Sequence, residues 1–585
     1  MQPVDYTTLI AICRELQMAS LPARLEQVYQ RDRFTIALAL RTLQGRNWLD
    51  ISWHPQLARI CMGDPPPRQP DTFTFSQQLR HQLGGLALVA IAPITPWERV
   101  LDLQFAKRPG EEALWHLYVE IMGKYSNVIL TTADQQIVTC GHQVNSRQSS
   151  VRTINTGQAY ELPPSLTNST PLLSESLDNW QARLSLIPGA ILTNLLKNYR
   201  GISKNLALLM LEHCQIDPQT TTEQLTAEDW QNLFSYWQIW LTSLETNNFS
   251  AQLTETGYTV INWRSDHEIP ETNQSVQPLI NDYYTQWQNQ QDFQQLRQSI
   301  KQKLQSILSK LRVKANTFQA KLQESDNCDL WRSQADLLMA NLHEWQVGMQ
   351  SIQLADFHSG EPITIQLDPE KNAVTNAQVL YKRHQKLKRA KEAVTPLLQA
   401  VQAEINYLEQ VEAAVMQLEQ DDPVNDLITL QEIQAELVQQ KYLTLTDYRP
   451  PAKQDATEFR RYTSPHGYEI LIGRNNRQND LLFKMAGDYD IWFHTQEIPG
   501  SHLLLRLDAG AVLEEKDLQF VANLSAYYSQ ARQSDVVPVV YTKPQYVYKP
   551  KGAKPGMVVY QREQILWGKP QLVAEMLEKD GEKFR

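Results

Sequence analysis

Near the C-terminus, the run Gly473-Arg474-Asn475-Asn476-Arg477-Gln478-Asn479-Asp480 concentrates side chains that donate hydrogen bonds or close turns. Arg474 and Arg477 can fork onto phosphate, while Asn475, Asn476, Gln478 and Asn479 can make polar contacts or Asx-turns. Downstream, Trp492 and His494 flank Phe493 ahead of a tight Pro499-Gly500 turn, with Ser501 and His502 at its exit. The stretch from Thr542 to Gly556 then carries Lys543, Lys549, Lys551 and Lys554 with no acidic residue, interleaved with Tyr546 and Tyr548. Lysines that neutralise phosphates beside rings that stack bases suit RNA. A solvated loop whose tyrosines pack inward fits the same composition. His494 and His502 have no obvious third ligand nearby, so no metal site is expected; a structural role is the ordinary reading of such histidines, and with Trp492 and Ser501 they stand as candidates for RNA contact. Walker, dinucleotide-fingerprint, HExxH and GxSxG motifs are all missing, so neither a catalytic residue nor a cofactor is expected.

The elements that must position these residues follow from hydrophobic periodicity. Residues 5–45 read as helical, with Leu9, Ile10, Cys13 and Leu16 on one stripe and LPARLEQVYQ and FTIALALRTL as further apolar patterns. The period then changes to two. NWLDISW, LARICM, LALVAIAPI, RVLDLQF, WHLYVEIM, NVILTT and QIVTC read as strands of an α+β domain over 1–170. A helical domain over 171–280 contains AILTNLLKNYRGISKNLALLMLEHC, two apolar helices around a break at Arg200-Gly201-Ile202-Ser203. That layout fits a helix-hairpin-helix able to hold phosphate on backbone N–H groups. A plain helical hairpin with a glycine turn fits it equally.

Residues 281–445 read as an antiparallel coiled-coil arm. Phe293, Ile300, Leu304, Ile307, Leu311 and Phe318 mark its first helix. Leu380, Leu387, Val394, Val401, Leu408 and Val415 recur every seven residues in the second, with Ala390, Leu397, Ile405, Val411 and Leu418 on the other seam position. Pro396 should kink that helix. A tip insert near 326–375 reads as a helix, LWRSQADLLMANL, and a hairpin turning at His358-Ser359-Gly360-Glu361. The acidic EQDDPVND, one more helix and the linker TDYRPPAKQDATEF lead into an α/β C-terminal domain over 446–585. On the arm, Lys382, Arg383, Lys386, Lys388 and Arg389 form a cationic cluster that is either a solvated helix face or a surface for RNA.

At 585 residues the chain exceeds what one core can organise. No apolar run reaches the roughly 20 residues that span a bilayer. The N-terminus carries no leader pattern, and the five cysteines are far apart and odd in number. Free thiols in a reducing cytoplasm, and no membrane partner, are therefore expected. A net charge of −10 excludes a uniformly basic nucleic-acid binder and leaves local patches open.

The ordered succession YEILIGRNNRQNDLLFKMAGDYDIWFHTQEIPGSHLLLR, ANLSAYYSQAR and YVYKPKGAKPGMVVY resembles the C-terminal RNA-associated domain of the NFACT family. EIMGKYSNVIL with Arg152, Gly157, Tyr160 and Pro163-Pro164 is similar to the family's N-terminal domain, whose fold is related to formamidopyrimidine-type DNA glycosylases. QADLLMANL, ITIQLDP and the run from Asn376 to Lys388 look like its middle region. The resemblance implies a multidomain α+β architecture and a factor of ribosome-associated quality control. Such a factor binds large ribosomal subunits carrying peptidyl-tRNA and recruits charged tRNA, in bacteria mainly tRNA-Ala, for template-free tailing of the nascent chain. Peptide-bond chemistry stays with the ribosome, and the factor is expected to act there as a monomer. An acidic-Arg pair implied to engage tRNA matches Glu98 and Arg99, with Glu98 in place of the usual Asp. Two rivals remain in view. A surface adhesin binding fibronectin or fibrinogen is an older label of the family. A DNA glycosylase, which needs Pro-Glu directly after the initiator, is opposed by Met1-Gln2-Pro3-Val4, so no DNA partner is expected.

Overall fold

The computed structural model describes residues 1–67, 71–164, 167–263, 275–357, 359–418, 422–444 and 458–583. They divide into two compact units, Met1–Asn289 and Gln290–Arg585.

The first unit opens with α1 (Tyr6–Ser20), started by Asp5, whose carboxylate accepts from Thr8 N–H. Nine strands follow: β1 (Ala23–Gln30), β2 (Thr35–Arg41), β3 (Arg46–Ser52), β4 (Arg59–Gly63), β5 (Ala87–Pro93), β6 (Val100–Ala106), β7 (Trp115–Glu120), β8 (Asn127–Thr132) and β9 (Ile137–Cys140). They form one antiparallel sheet in the order β4-β3-β2-β1-β5-β6-β7-β8-β9, with α2 (Thr74–Leu83) between β4 and β5 in the chain. The expected helices over LPARLEQVYQ and FTIALALRTL are thus strands. From Thr35 to Leu40 every residue of β2 is buried. A strand covered on both faces shows no alternation, and its leucines and alanines favour helix locally, so only sheet pairing decides between the two.

Helices α3 (Leu177–Ser185), α4 (Ile191–Asn198), α5 (Lys204–His213) and α6 (Ala227–Thr246) follow, then the hairpin of β10 (Gln252–Thr254) and β11 (Gly257–Thr259). One hydrophobic core runs through sheet and helices alike. Leu9, Leu38 and Leu103 belong to the same cluster as Trp180, Trp237 and Tyr284. The regions separated at residue 170 in the sequence therefore share their burial.

The long helix α7 (Val276–Asp326) starts in the first unit and continues into the second. In the second unit it lies antiparallel to α9 (Ala373–Met416), because partners that rise along one helix fall along the other. Arg297 donates to the carbonyl of Val415, Arg312 pairs with Glu409, and Lys391 pairs with Asp326. The seam buries Ile300, Leu304, Leu308, Val401, Ile405, Leu408 and Val415. Helix α9 runs unbroken across Pro396. Immediately after it Leu398 packs on the core, whereas the expected Leu397 is exposed. A proline removes one ladder donor and crowds the preceding turn, which is where a heptad phase is most easily lost. At 1.5 Å per residue α9 extends about 66 Å.

The tip consists of α8 (Cys328–Ala340) and the hairpin of β12 (Ser351–Ala355) with β13 (Pro362–Gln366), around a small core of Leu337, Leu338, Ile352 and Ile365. His358 of the expected turn, residues 419–421 of the acidic loop and 445–457 of the linker lie outside the described residues. After α10 (Pro423–Gln439) come β14 (Arg460–Thr463), β15 (Glu469–Ile472), α11 (Asn476–Met485), β16 (Ile491–Thr495), β17 (Leu503–Leu505), α12 (Glu515–Tyr527) and β18 (Val537–Thr542). A short ribbon of β19 (Val547–Tyr548) and β20 (Val559–Tyr560), the edge strand β21 (Gln564–Gly568) and α13 (Pro570–Lys583) close the chain. The main sheet, β14-β15-β17-β16-β18-β21, is antiparallel at every pairing. The domain is therefore a layered α+β arrangement on an antiparallel sheet, where an α/β domain had been expected. Strand-like runs separated by one helix do not by themselves fix strand direction.

Among the described residues no helix is long and apolar enough to cross a membrane. The five cysteines are free, and burial pushes the thiols of Cys13, Cys61, Cys140 and Cys214 up to about 11.

Candidate nucleic-acid interface

In the first unit, Glu98 and Arg99 sit in the turn between β5 and β6. Ile94 N–H closes it on the Val100 carbonyl, and Ile121 N–H ties the Arg99 carbonyl to the end of β7. Trp97 is held at φ +70°, an uncommon conformation for a bulky residue. Its ring packs on Tyr6 and Trp240, with centroids 4.9 and 5.7 Å away. Gly201, at φ +81°, faces that ring so closely that any Cβ there would overlap it.

Arg99 is half-buried and donates from Nη1 to the Val4 carbonyl at 3.3 Å. Burial draws its guanidinium pKa down, opposed by the carboxylates of Asp5 and Glu98. Asp5 also accepts from the Ser203 hydroxyl at 2.7 Å, and Ser203 caps α5 through Leu206 N–H. The starts of α1 and α5, two ends that favour negative charge, are thus tied together by one carboxylate. They face a cleft of about 330 Å³ shared with Trp97, Glu98, Arg99 and the largely exposed Tyr125. The cleft offers one guanidinium, two carboxylates and accessible ring surface, which suits a polar ligand with a flat face better than a bare phosphate. Beside it, Arg152 forks onto the buried Glu120 at 2.7 and 2.9 Å, and Tyr160 donates to the same carboxylate. These three sequence-marked residues tie the loop after β9 onto the sheet.

In the second unit the polar run 473–480 points inward. Arg474, 8% exposed, pairs with Asp426 at 3.2 Å and Asp422 at 3.3 Å, and donates to the Glu458 carbonyl. Asn475 caps α11 through Gln478 N–H and donates to Glu432. Asn476 donates to Glu436, whose carboxyl burial pushes above the usual range. Asn479 accepts from His502 N–H, and a Cβ on Gly473 would collide with it. Ser501 donates to the Gly473 carbonyl. Arg474 had been expected on phosphate and the amides in polar contacts or Asx-turns, one of which Asn475 makes. Arg474 and the amides meet carboxylates of α10 and its cap and backbone of the sheet, because Asp426 and Glu436 of α10 are buried and need polar partners there. Trp492, His494 and His502 are also buried. Their rings pack edge-to-face or stacked, with centroids 5.0 to 5.8 Å apart. Burial drives His494 down to about 4 and His502 well below the ordinary histidine value.

Residues 5–456 match the family model described as NFACT N-terminal and middle domains, and residues 458–562 match that of the NFACT protein RNA binding domain. The chain belongs to the NFACT family. Two relatives named Rqc2 homolog RqcH align over almost the whole length. The one from Bacillus subtilis is 27% identical, covering 95% of this chain and 96% of its own. The one from Streptococcus suis is 28% identical, covering 93% and 94%. Among solved structures, the C-terminal part of the fibronectin/fibrinogen-binding protein from Streptococcus suis matches at 28% identity with a TM-score of 0.37, covering 48% of this chain and 95% of that one.

Within this NFACT chain, the exposed cations of the second unit lie elsewhere than the inward-turned run. Lys382, Arg383, Lys386, Lys388 and Arg389 are solvent-facing on α9, while His384 among them is buried and bonds the Cys328 carbonyl. Arg383 lies 3.8 Å over the Trp331 ring. Lys549 and Lys551 are exposed, with Lys549 paired to Asp480, whereas Lys554 is held by Gln440 and Tyr442. Cys328, Asp329 and His384 bring one ligand atom each within 4.8 Å of one another, the one such trio among the described residues. Residue types and spacing gave no hint of Asp5, Ser203 or Tyr125 as neighbours of Arg99. Trp97, adjacent to the pair, was the available signal, since a large ring at a turn needs a pocket.

Proposed function

We propose that this protein is a ribosome-associated quality control factor. It binds large ribosomal subunits that carry peptidyl-tRNA and brings in charged tRNA, chiefly tRNA-Ala, for template-free extension of the stalled chain. The ribosome makes the peptide bond, and this chain positions RNA as a monomer in the cytoplasm. The observation that carries the reading is the match of both NFACT models, the second an RNA binding domain, along one chain. The relatives named Rqc2 homolog RqcH, aligned nearly end to end, support it.

Division of labour follows from which cations are exposed. Arg99 and Glu98, beside the ring surface of Tyr125 and Trp97, engage tRNA. The cationic face of α9 and the Lys549–Lys551 stretch meet ribosomal RNA, since a salt-sensitive contact needs cations facing solvent. Sequencing the RNA that co-purifies with the tagged protein tests the class: large-subunit rRNA plus one dominant tRNA is expected, and recovery of neither defeats the reading. Arg99→Ala should abolish C-terminal tailing while leaving subunit binding intact. Unchanged tailing in that variant would remove Arg99 from the site.

A further inference from the structure

A cleft of about 440 Å³ opens beside the buried histidines of the second unit, lined by Asn406, Glu409 and Gln410 of α9 and by His494, Glu497, His502 and Tyr560 of the C-terminal domain. Its floor is uncharged. His494 and His502 lie edge-to-face 5.0 Å apart, and burial keeps both imidazoles neutral at physiological pH. A neutral imidazole carries one donor and one acceptor; His494 already meets Gln410 and the backbone of Thr495 and Gly500, so the floor offers ring surface and the open nitrogen of His502 but no charge.

Three observations narrow the occupant. His502, 1% exposed, leaves Nδ1 without a hydrogen-bond partner, a state that is unfavourable unless something fills it. Glu497 is exposed on the rim at φ +54°, a strained placement of the kind that collects at ligand sites. Its carboxylate accepts hydrogen bonds and repels phosphate. Tyr560 adds a third ring to the lining beside the two imidazoles, a surface that suits a flat ligand. What remains is a flat, uncharged ligand with hydrogen-bonding edges. An unstacked base of single-stranded RNA is recognised in that way, by rings on its face and polar groups on its edge. The volume exceeds that of one base, leaving room for its ribose.

We propose that this cleft accepts one unpaired nucleobase of single-stranded RNA and prefers a base with an exocyclic amine. Glu497 accepts from the amine, the imidazoles and Tyr560 supply ring surface and edge hydrogen bonds, and Lys549 and Lys551 meet the flanking phosphates. This assignment rests on the RNA-binding reading of the chain and adds a specific subsite to it.

Fluorescence anisotropy of the full-length protein with labelled decauridylate, and with the same decamer carrying one central adenosine or cytidine, tests it. Wild type should bind the amine-bearing decamers roughly tenfold more tightly than decauridylate, the scale of one stacked and paired base. Asn406→Trp, a substitution at an exposed position of α9 that plugs the mouth, should erase that difference while retaining decauridylate binding. Glu497→Gln should shrink the preference several-fold. Equal wild-type affinities for all three decamers, or an Asn406→Trp variant that still discriminates, overturns the pocket. A protein that recovers large-subunit rRNA but shows no such preference loses only the subsite; one that binds no RNA at all loses the parent reading as well.

Discussion

Arg99 and Arg474 are set among the same residue types, an arginine facing two carboxylates, and the two surroundings put them to different use. Around Arg474 two carboxylates reach the guanidinium directly, Asp426 (only 2% exposed) at 3.2 Å and Asp422, which also caps α10, at 3.3 Å. Around Arg99 the nearest carboxylate is occupied elsewhere, because Asp5 caps α1 and takes the Ser203 hydroxyl. Arg99 is left with a single long bond to a backbone carbonyl, beside a cleft. A cation whose charge is already matched in a buried bracket holds structure together. One that borders a cleft and keeps donor capacity is available to a ligand.

That contrast can be broken experimentally, most forcibly on the bracket side. Arg474→Ala leaves buried Asp426 only the longer pairing to Arg460 at 3.8 Å and should destabilise the C-terminal domain by up to about 3–5 kcal/mol. Urea unfolding of the full chain measures this, and a loss below about 1 kcal/mol would mean the bracket is not structural. The same domain should weaken in acid. His494 is held near 4 when folded against about 6.5 unfolded, so between those values the unfolded chain binds more protons. Stability contributed by the neutral ring is fully present above about pH 6.5 and declines as pH falls toward 4, by up to about 1.4 kcal/mol per unit. His502 acts in the same direction. His494→Gln should flatten the slope, and a variant with the parent's pH profile would contradict the assignment.

On the cleft side the expected effects on stability are smaller. Gly201→Ala adds a Cβ against the Trp97 ring at a positive φ and should cost about 1–3 kcal/mol, read as a lowered thermal midpoint. Arg99→Ala should cost less than about 1 kcal/mol, since it removes one long hydrogen bond, while the proposed role predicts loss of tailing. If Arg99→Ala proved as destabilising as Arg474→Ala, the distinction between the two arginines would collapse.

Much of the molecule was legible before folding. Seven of the nine strands of the large sheet follow from period-two runs, and the arm follows from heptads at Val401, Leu408 and Val415. The turn at Gly201 between two apolar helices was also readable. What failed did so for identifiable reasons. Strand β2 is buried on both faces and carries no polar face to mark it, and β1 alternates with a register shift between Leu25 and Gln27 that blurs its period. The polar run at 473–480 has the composition of a surface loop, and only the carboxylates of α10, some forty to fifty residues away in the chain, turn it inward.

The sequence by itself determined the family, the heptad arm and the alternating strands, because each is a local pattern whose meaning does not depend on distant partners. Tertiary structure alone decided which polar residues face solvent. Whether an arginine or asparagine binds an external phosphate or an internal carboxylate depends on what is brought within about 3 Å of it, and periodicity carries no record of that.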